Sequence, residues 1–299
     1  MLLIKNGKVL TMGPQGVLEQ ADVLIGDDGK IVKVAAAIEA EAAQVIDASG
    51  RIVMPGIVDA HSHIGGFDTD TGAQDLNELT KPQTPEIQAY DGINPLDRSF
   101  MESAKAGITT SAITPGSGNV ICGLACAVKS AGTSLASRTL RNPIALKAAM
   151  GVNPKGVYGP RTAMPMSRLG VADLFRDYFL KVKDYQAKKA QGQTDPEKMP
   201  KFDQGLENGL LVLEKKIPLK VHCYQHDMMS LLQLAEEFDF DVTLDHALGS
   251  SDFYDELASS KHVRGVIYGP LGAPLFGGEG CKVDINCLAE LDRRGVCCA

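Results

Sequence analysis

The chain has 299 residues, is 44% hydrophobic and carries a formal net charge of -7 at pH 7. That is enough apolar material for a large core and the wrong charge for a nucleic-acid binder. Its 30 basic residues are scattered, Trp is absent and aromatic residues make up only 5%, which leaves little for a base-stacking platform.

The N-terminal run MLLIKNGKVL turns polar at Lys5, too early for a signal peptide. No window approaches the roughly 18 apolar residues of a membrane-spanning helix. The seven cysteines (Cys122, Cys126, Cys223, Cys281, Cys287, Cys297 and Cys298) form no CxxC pair. They read as reduced thiols, and the expectation is a cytoplasmic protein.

Residues 1–54 are predicted to form a small all-β domain. Apolar runs at 2–4, 9–10, 21–25, 31–34 and 45–46 are separated by Asn6-Gly7, Gly13-Pro14, Asp27-Asp28-Gly29 and Ser49-Gly50, pairs and triplets suited to tight hairpins. Strands this short suggest a sandwich-like sheet that is incomplete by itself and packs beside the rest of the chain. The Ala-rich stretch 35–43 is at most a helical turn.

From residue 55 onward the texture changes. Strand candidates at 57–60, 108–113, 144–150, 219–224, 242–244, 263–268 and 295–299 alternate with helical patterns at 95–106, 171–186, 202–214, 228–238 and 283–294. The extended stretch 80–95 and the polar stretch 188–200 read as loops. Such alternation predicts a mostly parallel sheet with crossover helices.

Four of the six histidines, His61, His63, His222 and His246, fall at the C-terminal ends of predicted strands, where α/β folds place their sites. Convergence from three separate strands favours a closed (β/α)8 TIM-like barrel over 55–299. No phosphate-binding glycine loop supports a nucleotide fold, and Gly116-Ser117-Gly118 reads as a loop.

His61 and His63 share a strand face, as does Asp59, which could orient an imidazole. Two imidazoles on one face, joined by His222 and His246, form a plausible grip for one or two divalent ions, zinc first among them. The bland alternative leaves the His61–His63 pair facing solvent. His226 and His262 read as surface residues, and Cys223 as packed in the barrel wall. Arg161 and Arg168 are candidates for holding a substrate carboxylate through bidentate contacts, or else bind loop carbonyls or a helix end.

The run MPGIVDAHSH, residues 54 to 63, resembles the signature of the amidohydrolase superfamily, close to its imidazolonepropionase-like branch. The hairpins IKNGKVL and IDASGRIVMPG resemble that family's small β-domain. AGITTS resembles its second barrel strand, and KVHCYQHD and VTLDHALG its fifth and sixth strand ends.

The resemblance implies a barrel holding one or two metals, with His61, His63, His222 and His246 as ligands. The bridging group is a carboxylated lysine in many relatives and a glutamate in others; Lys147, in IALKAAMG, matches a lysine of related members and could ligate as its carbamate or a neutral amine, or else it pairs with a carboxylate or points elsewhere. Two departures stand out. Val152 occupies a position that often carries Glu, and Tyr224 replaces the second histidine of an HxH strand end, where it would bind substrate or cap the site.

The implied activity is hydrolysis of a C–N bond, an amide or cyclic amide, in a small-molecule substrate, with no nucleic-acid or membrane partner and room for a homo-oligomer. An alternative is a degenerate barrel serving as a binding or assembly module. A third reading is C–O or phosphoester hydrolysis on the same scaffold. The family's proton-shuttling aspartate sits at the end of strand eight, here expected beyond Ala299, so the chain is expected to be a fragment truncated within that strand and inactive by itself.

Overall fold

The computed structural model describes residues 1–270 and 282–299, and the chain divides into two compact units, Met1–Ile57 and Val58–Ala299. Cys281 lies outside the described residues.

The first unit is one mixed sheet, not a sandwich. Its strands are β1 (Leu2–Leu10), β2 (Val17–Ile25), β3 (Ile31–Ala35), β4 (Gln44–Asp47) and β5 (Ile52–Val53), in the order β3-β2-β1-β4, with β5 also on β1. β1 is antiparallel to β2 and parallel to β4 and β5.

The hairpin expected at Asn6-Gly7 is instead an irregularity inside one long strand, where the β1–β2 register shifts. Asn6 has φ 64°, and its N–H donates to Asp22 while its side-chain amide donates to Asp47. Local polar partners thus hold the left-handed residue, and the chain continues straight. A Cβ at Gly7 would meet Val53 Cγ2 at 2.6 Å, so only glycine allows β5 to approach. The Ala-rich 35–43 stretch forms no helix; Ile38 packs with Leu3 and Leu24.

The second unit is built on a seven-stranded sheet. It comprises β6 (Ile57–Ser62), β7 (Ile108–Ile113), β8 (Ile121–Lys129), β9 (Thr139–Ala149), β10 (Leu219–Cys223), β11 (Val242–His246) and β12 (Val263–Tyr268), in sequence order across the sheet. The accompanying helices are α1 (Arg98–Lys105), α2 (Leu135–Arg138), α3 (Val152–Tyr158), α4 (Arg168–Gly192), α5 (Gln204–Leu213), α6 (Gln225–Phe238), α7 (Tyr254–Ser259) and α8 (Cys287–Arg293). Among the described residues no helix is long and apolar enough to cross a membrane.

Strands β9 to β12 are parallel neighbours. β8, which the sequence reading passed over, is antiparallel to both β7 and β9. The link from β7 to β8, residues 114–120, contains no helix, and so short a connection can only return the chain antiparallel. α4 also runs through Gly192, into the stretch read as a loop. Its last turns, with Lys188 paired to Asp184, are polar yet rich in helix-forming Ala, Lys and Gln. The final residues form no named strand but line up beside β12, with Tyr268 N–H donating to the Ala299 carbonyl at 2.8 Å and Ala299 N–H to that of Val266 at 3.0 Å.

Period-two alternation divides the two faces of the sheet. Leu146 and Ala148, Leu219, Val221 and Cys223, Val242 and Leu244 point into one apolar layer with Phe175 and Phe179 of α4 and Leu231, Leu234 and Phe238 of α6. Each such side chain contributes roughly 1.5–3 kcal/mol on burial. The alternate positions, Lys147, Lys220, His222 and Asp245, are polar and equally buried.

β6 and β11 are five places apart in the sheet, which on a flat surface is about 24 Å. Yet His61 of β6 and Asp245 of β11 lie 2.7 Å apart. The sheet is therefore rolled, with its polar face inward, as a barrel requires.

In the first unit, the buried Asp22 carboxylate accepts from the backbone N–H groups of both Asn6 and Ile38, each at 2.9 Å. Asp22→Ala strands both donors and should cost about 2 kcal/mol, read by urea unfolding with a probe in this unit. An unchanged midpoint would show that water replaces the carboxylate.

Candidate functional site

The four strand-end histidines meet inside the rolled sheet. The ring centroids of His61 and His63 are 5.1 Å apart, those of His61 and His246 4.7 Å, and those of His222 and His246 4.6 Å. His61 and His63 project from the end of β6 and just beyond it, and His222 shares its β10 register with Asp245 of β11. His246 ends β11 at φ 67°. Regular alternation would send its ring to the Leu244 side; the left-handed turn brings it inward.

Three of the rings are tethered through the same nitrogen. His61 Nδ1 pairs with Asp245 at 2.7 Å, His63 Nδ1 with the Thr114 carbonyl at 2.9 Å, and His246 Nδ1 with the Gly269 carbonyl at 2.9 Å. A carbonyl or carboxylate only accepts, so each Nδ1 carries the proton and each Nε2 presents its lone pair. His61 Nε2 and both ring nitrogens of His222 are buried with no hydrogen-bond partner.

Burial is the main force on the charge state of these rings. It pushes His61 down to about 3 and His63 to about 4, and lowers His222 and His246 as well, with Lys147 adding to the effect on all four. Neutral imidazoles at pH 7 are competent metal ligands.

Beneath the rings lies a charged layer. Asp245 is fully buried and bonds Lys220 Nζ at 2.7 Å through its other oxygen, with Lys147 Nζ at 3.8 Å. Burial works to raise the Asp245 carboxyl, but Lys220, His61 and Lys147 together outweigh it and hold the group well below the carboxylate range. Lys147, whose ammonium burial disfavours, also donates to the Ala148 carbonyl at 3.0 Å. Neither Asp245 nor Lys220 is among the residues that motif or strand-end position picks out. Asp59 accepts from the His61 backbone N–H at 3.1 Å and holds the main chain there, not a ring.

A cavity of about 310 Å³ opens over the histidines, lined by His63, His222 and His246 together with Phe67, Asn77, Asn153 and Tyr224, among others. Tyr224 is buried beside His222, ring to ring at 4.9 Å. Val152 begins α3 and is exposed, while its neighbour Asn153 faces the cavity.

Arg161 and Arg168 are not brought to this cavity. Arg161 donates to the Leu79 carbonyl and lies over the Tyr158 ring, and Arg168 Nε bonds Asp227 at 2.9 Å. His226 is exposed. His262, expected at the surface, is buried, with Nε2 bonded to Glu236 at 3.0 Å. Cys223 packs in the apolar layer behind the sheet.

The donor set fits a divalent ion: neutral rings, free Nε2 lone pairs, and buried nitrogens that nothing else satisfies. Among the described residues, however, no three His, Cys, Asp or Glu side chains are already disposed to hold one. The fit lies in tautomer and convergence, not in a finished coordination shell.

No protein-family model matches the chain. A solved amidohydrolase from Thermotoga maritima MSB8 superposes on all of it with a TM-score of 0.94 and 35% identity, and the chain covers 78% of that structure. The chain belongs to the amidohydrolase superfamily. Curated relatives agree with this placement. Amidohydrolase tasK of Hapsidospora irregularis is 32% identical over 254 residues, 75% of this chain. The 5'-deoxyadenosine deaminase of Methanococcoides burtonii is 39% identical over 112 residues, 36% of this chain. The chain spans 26% of the length of each of these two relatives.

The depressed imidazoles give the chain a defined acid response. Between about 4 and the ordinary value of 6.5, position 63 binds protons more readily in the unfolded chain than in the folded one, so acid favours unfolding. Stability of the metal-free protein should therefore be complete above 6.5 and fall as pH drops toward 4. His63→Gln should remove part of that slope. Urea midpoints at stepped pH read it; identical slopes in the two proteins would mean that His63 is not buried neutral.

Proposed function

We propose that the barrel catalyses metal-dependent hydrolysis of a carbon–nitrogen bond, in an amide or cyclic amide, of a small molecule. The observation that carries this reading is the common tether of His61, His63 and His246 through Nδ1, which turns three lone pairs toward one region. Membership of the amidohydrolase superfamily supports it, as does the similarity to a deaminase.

In this reading His61, His63, His222 and His246 hold the ion, zinc first among candidates. When bound, such an ion polarises a scissile carbonyl and lowers the pKa of water. The chain's own contribution is to orient the rings and to seat the substrate between Phe67, Asn77 and Tyr224 in the cavity. Lys147 would join the ion only as a carbamate or a neutral amine; in the structure its unmodified Nζ lies 3.8 Å from Asp245. Asp245 is engaged by His61 and Lys220 and so is not the proton shuttle.

A second reading, a barrel kept for binding or assembly without metal, draws on the lack of any preassembled three-residue ion cage among the described residues.

Metal content and turnover separate the two. Full-length protein loaded with zinc should retain it through desalting, release ammonia or amine from amides and aminoheterocycles, and open lactams to amino acids. A chelator should abolish the activity and zinc restore it. His61→Ala should lower zinc affinity by more than the roughly 10- to 100-fold typical of losing an outer partner of a ligand. A protein that binds no divalent metal, or whose turnover ignores the chelator, overturns the proposal.

A further inference from the structure

Asp245 and Lys220 are left without a role by the reading above, although they are among the most deeply buried polar groups of the barrel. His63 and His246 are oriented by neutral backbone carbonyls. His61 alone of the three is oriented by a charged side chain, and that side chain belongs to a strand five places away in the sheet.

The polarity of the contacts is fixed. A lysine ammonium only donates and a carboxylate only accepts, so Lys220 occupies one oxygen of Asp245 at 2.7 Å and the other is left for His61 Nδ1 at 2.7 Å. Of the two neutral forms of the His61 ring, the one with its hydrogen on Nε2 would turn a lone pair on Nδ1 toward the carboxylate and break the Asp245 contact. Asp59, on the His61 backbone N–H, fixes the main chain at the same residue. Lys147 has the Ala148 carbonyl as a partner of its own.

We propose that Asp245, clamped by Lys220, is the positioning residue of His61: it holds the ring as the Nδ1–H tautomer with Nε2 turned to the site. The proposal deepens the metal reading and rests on it for the consequence in affinity, but the tautomer itself is decided without any metal.

The test is nitrogen-15 histidine NMR on the metal-free 299-residue chain, with His61 assigned by comparison with His61→Gln. The wild type should show His61 as Nδ1–H. The double variant Asp245→Leu with Lys220→Met removes the carboxylate and its clamp together, leaving no lysine facing a missing partner at position 220. In it His61 should move to a mixture or to Nε2–H. His63, tethered to the Thr114 carbonyl, should keep its Nδ1–H signal and so report an intact barrel.

Zinc affinity in the double variant should fall about 10- to 100-fold, as for other lost partners of metal-binding histidines. Should the double variant not fold, Asp245→Asn serves: an amide both donates and accepts, so both tautomers of His61 should appear. His61 remaining purely Nδ1–H in the folded variant, or being Nε2–H in the wild type, overturns the proposal. A wild type that binds no zinc refutes the proposed function instead, while the tautomer still decides the role of Asp245.

Discussion

A carboxylate buried in a protein interior is costly unless its charge and lone pairs are matched. Asp245 is matched by side chains drawn from across the barrel: Lys220 of the adjacent strand, His61 of the distant β6, and Lys147 of β9 at longer range. Because the His61 contact spans the roll of the sheet, closure of the curve and orientation of the first site residue are one and the same interaction. Of the histidines above it, His61 takes its orientation from this charged layer.

That layer exists because the sheet keeps strict alternation over three parallel strands. At 146–148, 219–223 and 242–244 one parity feeds the apolar layer against α4 and α6, and the other places Lys147, Lys220, His222 and Asp245 on the inner face. The inverted β8 keeps the wall continuous, with residues 121–126 all buried. Its reversal also leaves the 114–120 link at the cavity, where Gly116 and Gly118 pack so closely on Asn77 and Leu79 that a Cβ at either would approach to between 2.2 and 2.3 Å.

Much of this was legible in the sequence. The HxH pair, the two distant strand-end histidines and the change of texture near residue 55 depend on local pattern, and local pattern is what a sequence displays. β8 escapes a pattern search because ICGLACAVK is buried on both faces over most of its length, neither alternating nor rich in β-branched residues, and follows a glycine-rich loop. Lys220 was passed over because a lysine inside a barrel is rare unless paired, and its partner lies 25 residues on. Asp245 was hidden by its neighbour: in a regular strand Asp245 and His246 face opposite ways, so choosing the histidine for the site discards the aspartate. The left-handed turn at His246 allows both to face inward, and no period of two reveals it.

The backbone at His246 also bears on how this site could drift. Residues with φ near +67° are tolerated best as glycine, asparagine, aspartate or histidine, and poorly when β-branched or bulky. Position 246 therefore has few neighbours in sequence space that keep the turn. Two of them, asparagine and aspartate, still offer an oxygen where the imidazole stood; glycine offers none. A lineage relaxing its hold on this corner would pass through those three residues first, and a descendant carrying Val or Ile there would have had to rebuild the end of β11 before it could lose the histidine.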